Sequence, residues 1–208
     1  MKDEYKNIAK SYDKQLKDKL TRDMYAEWRN ELKKSIKKYG VKTGTLIDLG
    51  CGTGITTIPW IKEFDRVIGV EVSKPMLKQA IKKSSQVKWI NQDIIKLKIK
   101  EKTDAVICHF DVLNHILRKR DLQKVFNNVY EILKDGGLFI FDMMSPESFV
   151  WLKRKGMDKI SERSYSKEEI KKMLTRGGFK ILNIKKQKTM EWDGKPKRGI
   201  FLVKKPVS

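Results

Sequence analysis

The stretch that decides the fold is LIDLGCGTG, Leu46–Gly54, in which an apolar run ends at one aspartate and continues into a glycine-rich turn. The apolar run predicts a buried β-strand, and the glycines at positions 50, 52 and 54 remove side chains where a ligand can touch the backbone. We expect a helix to follow the turn. The unpaired backbone N–H groups at its N-terminus would then lie at the carboxyl edge of a sheet, where open α/β folds bind ligands. A dinucleotide fingerprint would need a third glycine at Ile55, and no Gly-Lys-Ser/Thr of a phosphate loop follows.

Strand-like and helical patterns alternate on either side of this turn. SKPMLKQAIKK opens with Ser73 as a cap and Pro75 in its first turn, and the pattern that starts at Asp121 predicts a helix ending at Gly136-Gly137. The alternation predicts a parallel sheet with helices on both faces. The strand-like runs are Leu46–Leu49, Val67–Val70, Val87–Ile90, Ala105–Cys108 and Leu138–Phe141.

The C-terminal part departs from this alternation. SKEEIKKMLTRGG contains a capping box of Ser166 with Glu169, and the strand-like runs FKILNIKKQ and RGIFLVKKP follow with the turn-rich EWDGKPK between them. A parallel return needs a crossover of about a dozen residues or more, so these two runs are predicted to pair antiparallel.

Composition limits the class of protein. A chain of 208 residues is predicted to form a single domain, 1–208. No apolar run approaches the roughly 20 residues of a membrane helix and no signal peptide is visible, so we expect a cytoplasmic protein without a membrane partner. Cys51 and Cys108, with two histidines beside them, are too few for a disulfide framework or a structural metal site, and we predict no metal.

The charge has two interpretations. A formal net charge of +21 and a pI of about 9.8 would suit a protein that meets phosphate. However, 38 of the 47 basic residues are lysines spread along the whole chain, whereas bidentate recognition of phosphate and bases favours arginine. A lysine-rich solvated surface is therefore favoured over RNA binding.

Three carboxylates follow predicted strands. Asp48 ends the first, Glu71 ends the second 23 residues later, and Asp93 follows the third. An acidic residue about 20 positions after the glycine turn can accept hydrogen bonds from ribose hydroxyls. Three carboxylates around one ligand would repel pyrophosphate but suit a nucleoside that carries positive charge.

These residues resemble the class I S-adenosylmethionine-dependent methyltransferases. DLGCGTG is similar to the first motif of that family, GVEVS to its acidic second-strand end, QDI to its adenine-binding loop, and LKDGGLFIFDM to its fifth strand and the approach to it. The resemblance extends from about Tyr12 to Val203. It implies an α/β fold, a three-layer Rossmann-like sandwich with a mostly parallel seven-stranded sheet and an antiparallel last strand.

The resemblance also implies a cofactor, S-adenosyl-L-methionine, and residues that bind it. Asp48 and the Gly50–Gly54 loop would hold the methionine end and Glu71 the ribose. Asp93 would accept the adenine amino group, with Val72 and Ile94 against the ring. The implied cofactor-binding set is Tyr12, Asp48, Gly50, Cys51, Gly52, Gly54, Glu71, Val72, Met76, Gln92, Asp93, Ile94 and His109.

Acceptor residues are sought in AVICHFDVLNHI, at the end of the fourth predicted strand. Asp111 and His115 are the candidate substrate-binding residues. For Asp111, a capping or hydrogen-bonding role is an equal alternative. His109 is either a general base or a ring packed near the cofactor, and packing is favoured because a pKa near neutrality permits a base without requiring one. No catalytic residue is assigned.

Two further segments bear on the acceptor. Residues 1–40 resemble an N-terminal helical lid, in which Tyr12 and Asp13 would close over the cofactor. Tyr25 and Trp28 of the same segment either line the acceptor pocket or belong to the core. Residues 145–165 are too short for the antiparallel lobe that related enzymes often insert there. The acceptor site is thus either more open or completed by another subunit, and the oligomeric state is not predicted.

Three functions remain open at this point. A methyltransferase acting on a small molecule is favoured, because the N-terminus is lid-like and no RNA-binding domain is appended. An RNA-modifying methyltransferase that uses its basic surface is the alternative, although CHFDVLNH replaces the NPPY-like segment expected for methylation of a base amino group. A non-catalytic cofactor-binding protein is the third, since fold does not fix function.

Overall fold

A central β-sheet organises the protein. The computed structural model describes residues 5–15, 17–154, 162–187, 191–192, 195–196 and 198–207. The strands are β1 (Thr45–Leu49), β2 (Arg66–Glu71), β3 (Lys88–Asn91), β4 (Thr103–Cys108), β5 (Leu133–Met144), β6 (Lys180–Lys186), β7 (Glu191–Trp192), β8 (Lys195–Pro196) and β9 (Arg198–Lys204). The α-helices are α1 (Tyr12–Gln15), α2 (Lys19–Tyr39), α3 (Lys74–Lys83), α4 (Lys119–Ile132), α5 (Pro146–Arg154) and α6 (Lys167–Arg176).

The sheet has seven strands in the order β3-β2-β1-β4-β5-β9-β6. The strands β1 to β5 pair in parallel, whereas β9 pairs antiparallel with both β5 and β6. This topology confirms the predicted fold class and the antiparallel pairing of the two C-terminal runs. The chain order reverses direction beside β1, so the carboxyl ends of β1, β2 and β4 meet at one crevice, where open α/β sheets bind ligands.

Apolar side chains cover both faces of the sheet. On one face, Phe139 and Phe141 of β5 pack in a cluster with residues of α4 and α6. On the other, Leu138 and Ile140 of the same strand pack in a cluster that contains Trp28 of α2. Alternate residues of one strand are therefore buried on opposite sides, as expected for a parallel strand between two helical layers.

The helix caps read from the sequence are present. The Ser73 side chain accepts a hydrogen bond from the N–H of Met76 at the start of α3. Ser166 and Glu169 form the complete capping box of α6. Both signals are local, because a cap needs only residues within one turn of the helix end.

The prediction of an α-helix directly after the glycine turn was wrong. Turns lead instead to a 3₁₀ helix, Ile58–Lys62, with Pro59 in its first turn. Proline has no N–H to donate, and the Thr57 hydroxyl donates to Asp48 at 2.6 Å, so the segment turns back toward the sheet rather than extending as an α-helix. The positive end of an α-helix is therefore not what faces a ligand here.

The boundaries around α4 also differ from the prediction. The helix ends at Ile132, before the glycine pair, because Leu133 already pairs with Thr103 of β4. Gly136, with a φ of +79°, then donates its N–H to the carbonyl of Lys205 at 3.0 Å. The glycines thus lie in the first part of β5, where its register with β4 shifts, rather than at the helix end.

Apolar residues recur every four positions from Leu16 to Ile36, which predicts amphipathic N-terminal helices that end at Gly40. The structure follows this spacing in part. Met24, Trp28 and Leu32 of α2 are buried, whereas Leu20 in its first turn is 43% exposed. Gly40, with a φ of +63°, ends the helix as predicted. Leu16, also part of the predicted stripe, lies outside the described residues. Across the described ranges, no helix combines the length and the apolar character needed to cross a membrane.

Candidate cofactor and acceptor site

A cavity of about 260 Å³ opens at the carboxyl ends of β1, β2 and β4. Its lining contains the implied cofactor-binding set except Asp48 and Gly54, and it contains the candidate substrate residue His115 but not Asp111. Of the residues proposed for the N-terminal segment, Tyr25 is in the lining, whereas Asp13 and Trp28 are not. The lining residues are Tyr5, Tyr12, Tyr25, Gly50, Cys51, Gly52, Thr53, Ile55, Thr56, Val70, Glu71, Val72, Ser73, Met76, Gln92, Asp93, Ile94, Ile95, His109, Phe110, Val112, His115 and Ile116.

Glu71 ties the glycine turn to the end of β2. Its Oε2 accepts the N–H of Gly52 at 2.9 Å, and its Oε1 accepts the N–H of Ser73 at 2.8 Å. The residue is 9% exposed and lines the cavity. An ionised carboxylate accepts hydrogen bonds and donates none, so this wall of the cavity suits hydroxyl groups of a ligand.

Two glycines of the turn are required by close packing. A Cβ at Gly50, where φ is +74°, would lie 2.5 Å from both γ-carbons of Val112. A Cβ at Gly54 would lie 2.5 Å from the Trp89 ring, which explains why Gly54 faces the interior instead of the cavity. Gly50 therefore brings the backbone against the turn after β4, and Gly54 brings it against β3.

Asp48 lies beneath the glycine turn and is not in the cavity lining. Its side chain is 1% exposed and accepts the hydrogen bond from Thr57. Burial raises the pKa of Asp48 to about 7, and the Thr57 hydrogen bond opposes that shift. The structure therefore places Asp48 as a support of the turn rather than as a wall of the cavity.

The opposite end of the cavity has the residues expected around an adenine ring. Asp93 accepts the N–H of Ile95 at 2.9 Å and begins a 3₁₀ helix, Ile94–Lys96. Val72 is 58% exposed and Ile94 is 9% exposed, and both line the cavity with Gln92. An exposed apolar residue beside a buried one offers two surfaces between which a flat ring can fit.

His109 is packed as a neutral ring. It stacks on Trp28 with ring centroids 3.9 Å apart and an interplanar angle of 9°. Burial lowers the pKa of His109 to about 4, so the ring is uncharged and weakly basic at neutral pH. These observations favour packing over a general-base role, and they place Trp28 in the core.

The turn after β4 has an unusual backbone. Phe110 and Asp111 are consecutive residues with φ of +60° and +61°, a conformation that costs energy for residues other than glycine. Asp142 of β5 accepts the N–H groups of both residues at 3.1 Å. This carboxylate therefore fixes a turn that directs the Phe110 ring to the cavity.

The Asp111 side chain faces the interior. It accepts a hydrogen bond from Arg198, whose side chain is 4% exposed and also lies 3.8 Å from Asp142. Burial raises the pKa of Asp111 to about 7, with Arg198 opposing the shift. Of the two roles open for Asp111, the structure thus shows hydrogen bonding inside the protein, and substrate contact through this side chain is not part of the geometry.

The N-terminal segment covers one side of the cavity. The Tyr5 hydroxyl lies 3.0 Å from Nε2 of His115. Asp13 accepts the Thr53 hydroxyl at 2.5 Å and pairs with Lys83, which also donates to the carbonyl of Thr53 at 2.8 Å. Residues 5–15 therefore contact both the glycine turn and the turn after β4, as a lid would.

The shortened segment 145–165 packs against the same turn. Asn114, fully buried, donates to the carbonyl of Arg163 at 2.9 Å and accepts the N–H of Met144 at 3.0 Å. The Tyr165 hydroxyl donates to the carbonyl of Ile116 at 2.5 Å. Glu162 lies 3.5 Å from Nε2 of His115. The prediction that segment 145–165 is too short for an antiparallel lobe also covers residues 155–161, which lie outside the described residues.

Sequence reasoning missed several lining residues. Phe110, Val112 and Ile116 belong to the quoted stretch AVICHFDVLNHI, but only its polar side chains were selected. Tyr5 carried no signal, since nothing local links it to His115. Both cysteines are free and buried, and burial raises the pKa of each thiol. Within the described part of the chain, no group of His, Cys, Asp and Glu could hold a metal.

A Rossmann-like sheet with a reversed strand and an acidic, glycine-lined crevice defines a nucleoside-binding α/β protein of the methyltransferase class. A family model described as a methyltransferase domain matches residues 46–137. An uncharacterised protein of Methanocaldococcus jannaschii is 30% identical over 210 residues, 88% of this chain and 77% of that protein. The chain belongs to the class I S-adenosylmethionine-dependent methyltransferases, enzymes whose cofactor is S-adenosylmethionine.

Two further comparisons agree. A Geobacillus sp. (strain WCH70) protein, provisionally named a methyltransferase, is 32% identical over 146 residues, which are 68% of this chain but only 58% of that protein. The crystal structure of an S-adenosylmethionine-dependent methyltransferase from Clostridium acetobutylicum ATCC 824 has a TM-score of 0.79 at 24% identity, covering 97% of this chain and 99% of that one. The latter likeness concerns the fold.

Proposed function

We propose that this protein transfers a methyl group from S-adenosylmethionine to a small-molecule acceptor bound in the same cavity. The observation that carries the proposal is the convergence of Glu71, Asp93 and the glycine turn on one cavity whose other end is closed by residues 5–15. When bound, the cofactor supplies an electrophilic methyl group on a sulfonium. The protein then has to hold the acceptor in line and exclude water.

The described lining fits this cofactor. Glu71, an acceptor on the cavity wall, would receive the ribose hydroxyls. Asp93 would accept the adenine amino group, and Val72 and Ile94 would contact the ring. Gly50 and Gly52 present bare backbone to the methionine end. Asp48 supports this turn from beneath, and acts on the cofactor through the position of the turn.

Closure of the cavity by the N-terminal segment supports a small acceptor. Tyr5 and Asp13 reach opposite walls, so an acceptor at the aromatic end is enclosed by residues of the same chain. Curated relatives are named for glycine and sarcosine, malonyl-[acyl-carrier protein] and a dTDP-amino sugar. These names differ in acceptor class, so the substrate must be argued from the cavity itself.

Ligand-dependent thermal unfolding tests the cofactor assignment. Because a ligand that binds only the native state stabilises it, S-adenosylhomocysteine at 100 times its Kd should add about 2.7 kcal/mol. Adenosine is the matched probe for the nucleoside end alone. No shift at millimolar S-adenosylhomocysteine would disprove the proposal. Methyl-labelled cofactor, incubated separately with metabolite pools and bulk tRNA, tests the acceptor, and salt-sensitive label transfer into RNA alone would refute the small-molecule assignment.

A further inference from the structure

The charge of the cavity is opposite to the charge of the chain. The protein has a formal net charge of +21, yet among the described residues that line the cavity there is no lysine or arginine. The carboxylates of Glu71 and Asp93 are its acidic groups, and the His109 ring is neutral. A negatively charged acceptor would therefore enter without a lysine or arginine of the described lining to pair with.

Two basic residues that contact the lining, Arg198 and Lys83, are already paired. Arg198 lies behind Phe110, with its guanidinium carbon 5.6 Å from the ring centroid, and it binds Asp111 and approaches Asp142. Lys83 is held by Asp13 and by the carbonyl of Thr53. Moving Arg198 to an anionic ligand would leave the carboxylates of Asp111 and Asp142 without their cation in a buried place, which is strongly unfavourable. Moving Lys83 would break its contacts with Asp13 and Thr53.

Aromatic rings form the acceptor end of the cavity. Tyr25 packs on Phe110 with centroids 4.5 Å apart, and Tyr5 packs edge-on against both Tyr12 and His115, at 6.0 and 5.8 Å. All five rings belong to the cavity lining. The face of an aromatic ring attracts cations and repels anions because of its quadrupole.

From these three observations we infer that the acceptor is an amine whose molecule carries no negative charge near the reacting nitrogen. This inference rests on the proposed function and adds the substrate class to it. Carboxylates, phosphates and enolates are disfavoured by the same cavity. The class is defined by the cavity's own groups, since the names of the relatives include both nitrogen and oxygen acceptors.

The chemistry of the step agrees with this environment. The ammonium form of the amine first releases a proton to water, because only the neutral nitrogen has a lone pair. That lone pair forms the new N–C bond while the C–S bond breaks and its electron pair stays on sulfur. One positive charge moves from sulfur to nitrogen, and the new ammonium can afterwards release a proton to water. Aromatic rings at the acceptor end stabilise that charge once it is on nitrogen. With an anionic oxygen acceptor, the transfer would cancel the positive charge of the sulfonium against the negative charge of the oxygen. The cavity would first have to bind that anion, which its lining disfavours.

Matched probes test the inference without knowledge of the natural acceptor. The full chain is saturated with S-adenosylhomocysteine, and benzylamine, benzyl alcohol and benzoate are compared by calorimetry, with butylamine, butanol and butyrate as a second series. We expect each amine to bind roughly three- to tenfold more tightly than its alcohol, and each carboxylate to bind most weakly. A carboxylate that binds as tightly as its amine, or amines that bind no better than alcohols, would overturn the inference.

Variants of Tyr25 locate the effect. Tyr25→Leu removes the ring and should reduce the amine-to-alcohol preference roughly three- to tenfold, whereas Tyr25→Phe retains the ring and should retain the preference. Tyr39→Leu is the control on the same helix, because Tyr39 lies outside the cavity lining. An unchanged preference in Tyr25→Leu assigns selectivity elsewhere and contradicts the aromatic argument. If Tyr25→Leu does not fold, the wild-type series decides alone.

The two proposals fail differently. Absence of S-adenosylhomocysteine binding would remove the proposed function, and with it the basis of the amine inference. A protein that binds S-adenosylhomocysteine but prefers carboxylates to amines would contradict the amine inference and leave the cofactor assignment intact. Label transfer into a carboxylate or tRNA, and not into amines, would have the same meaning.

Discussion

Replacement of Glu71 by alanine tests the centre of the site. The carboxylate accepts N–H groups of Gly52 and Ser73 at 2.9 and 2.8 Å, so the variant leaves two backbone donors without this acceptor. A buried unsatisfied donor costs about 1–3 kcal/mol. Both donors border a cavity that water can enter, so we take the lower limit, about 2 kcal/mol in all. For a domain of this size that lowers Tm by roughly 4–8 °C.

The effect on cofactor affinity is separate. If Glu71 accepts the ribose hydroxyls, its loss should weaken S-adenosylhomocysteine binding by about 1–3 kcal/mol, which is roughly 5- to 150-fold in Kd. Calorimetry of the wild type and Glu71→Ala, at a temperature where both are folded, measures this difference. Glu101→Ala is the matched control, because Glu101 is a surface carboxylate paired with Arg66 and Lys88, and its loss should change affinity little.

A change of ligand makes the test specific to the ribose. The 2′-deoxy analogue of S-adenosylhomocysteine should bind the wild type more weakly than the parent compound, while in Glu71→Ala the same deletion should have a much smaller effect. Interacting groups are non-additive in this way, and independent groups are additive. Equal penalties in both proteins, or a Kd for Glu71→Ala within twofold of wild type, would refute the placement of the ribose.

Three further perturbations address the glycine turn and the N-terminal segment, residues 5–15. Gly50→Ala adds a Cβ 2.5 Å from Val112 at a positive φ, so we expect a loss of about 1–3 kcal/mol in chemical denaturation. The pKa of Asp48 rises to about 7 on folding, so the native state holds a proton that the unfolded state releases, and this group's contribution to stability falls between about pH 4 and pH 7. Asp48→Asn should remove that decline, and denaturation of both proteins across this range checks it. Asp13→Ala removes the partner of Thr53 and Lys83, and hydrogen exchange should show faster exchange of amides in residues 5–15 than in wild type.

Local signals in the sequence were sufficient for much of the framework. The caps at Ser73 and Ser166 depend on residues within one helical turn, and both formed as predicted. The antiparallel C-terminal pair followed from the short connection between the runs. Glu71 was predicted because it ends a strand-like run. In a parallel sheet the alternation of strands and helices places the carboxyl ends of such strands at one edge.

Other features depended on contacts between distant parts of the chain. Arg198 meets Asp111 across 87 residues, and no local pattern links them. Strand parity could have indicated the orientation of Asp48, which shares the Leu46 face of β1 and so points to the layer that contains Trp28. Pro59 indicated that no α-helix would run through the segment after Gly54. The prediction followed instead the expectation that a ligand binds at the N-terminus of such a helix.

The charge of the whole chain and the charge of its cavity answer different questions. Exposed lysines act through water and salt, where interactions fade over about 10 Å at 0.1 M ionic strength. Glu71 and the aromatic rings act at contact distance in a partly dry crevice, where each charge has a stronger effect. A basic surface therefore determines how the protein meets polyanions, whereas the composition of the lining determines which acceptor can approach the methyl group. For this protein the second property favours an amine, whereas the first, given its lysine-rich composition, left RNA binding as the less favoured interpretation.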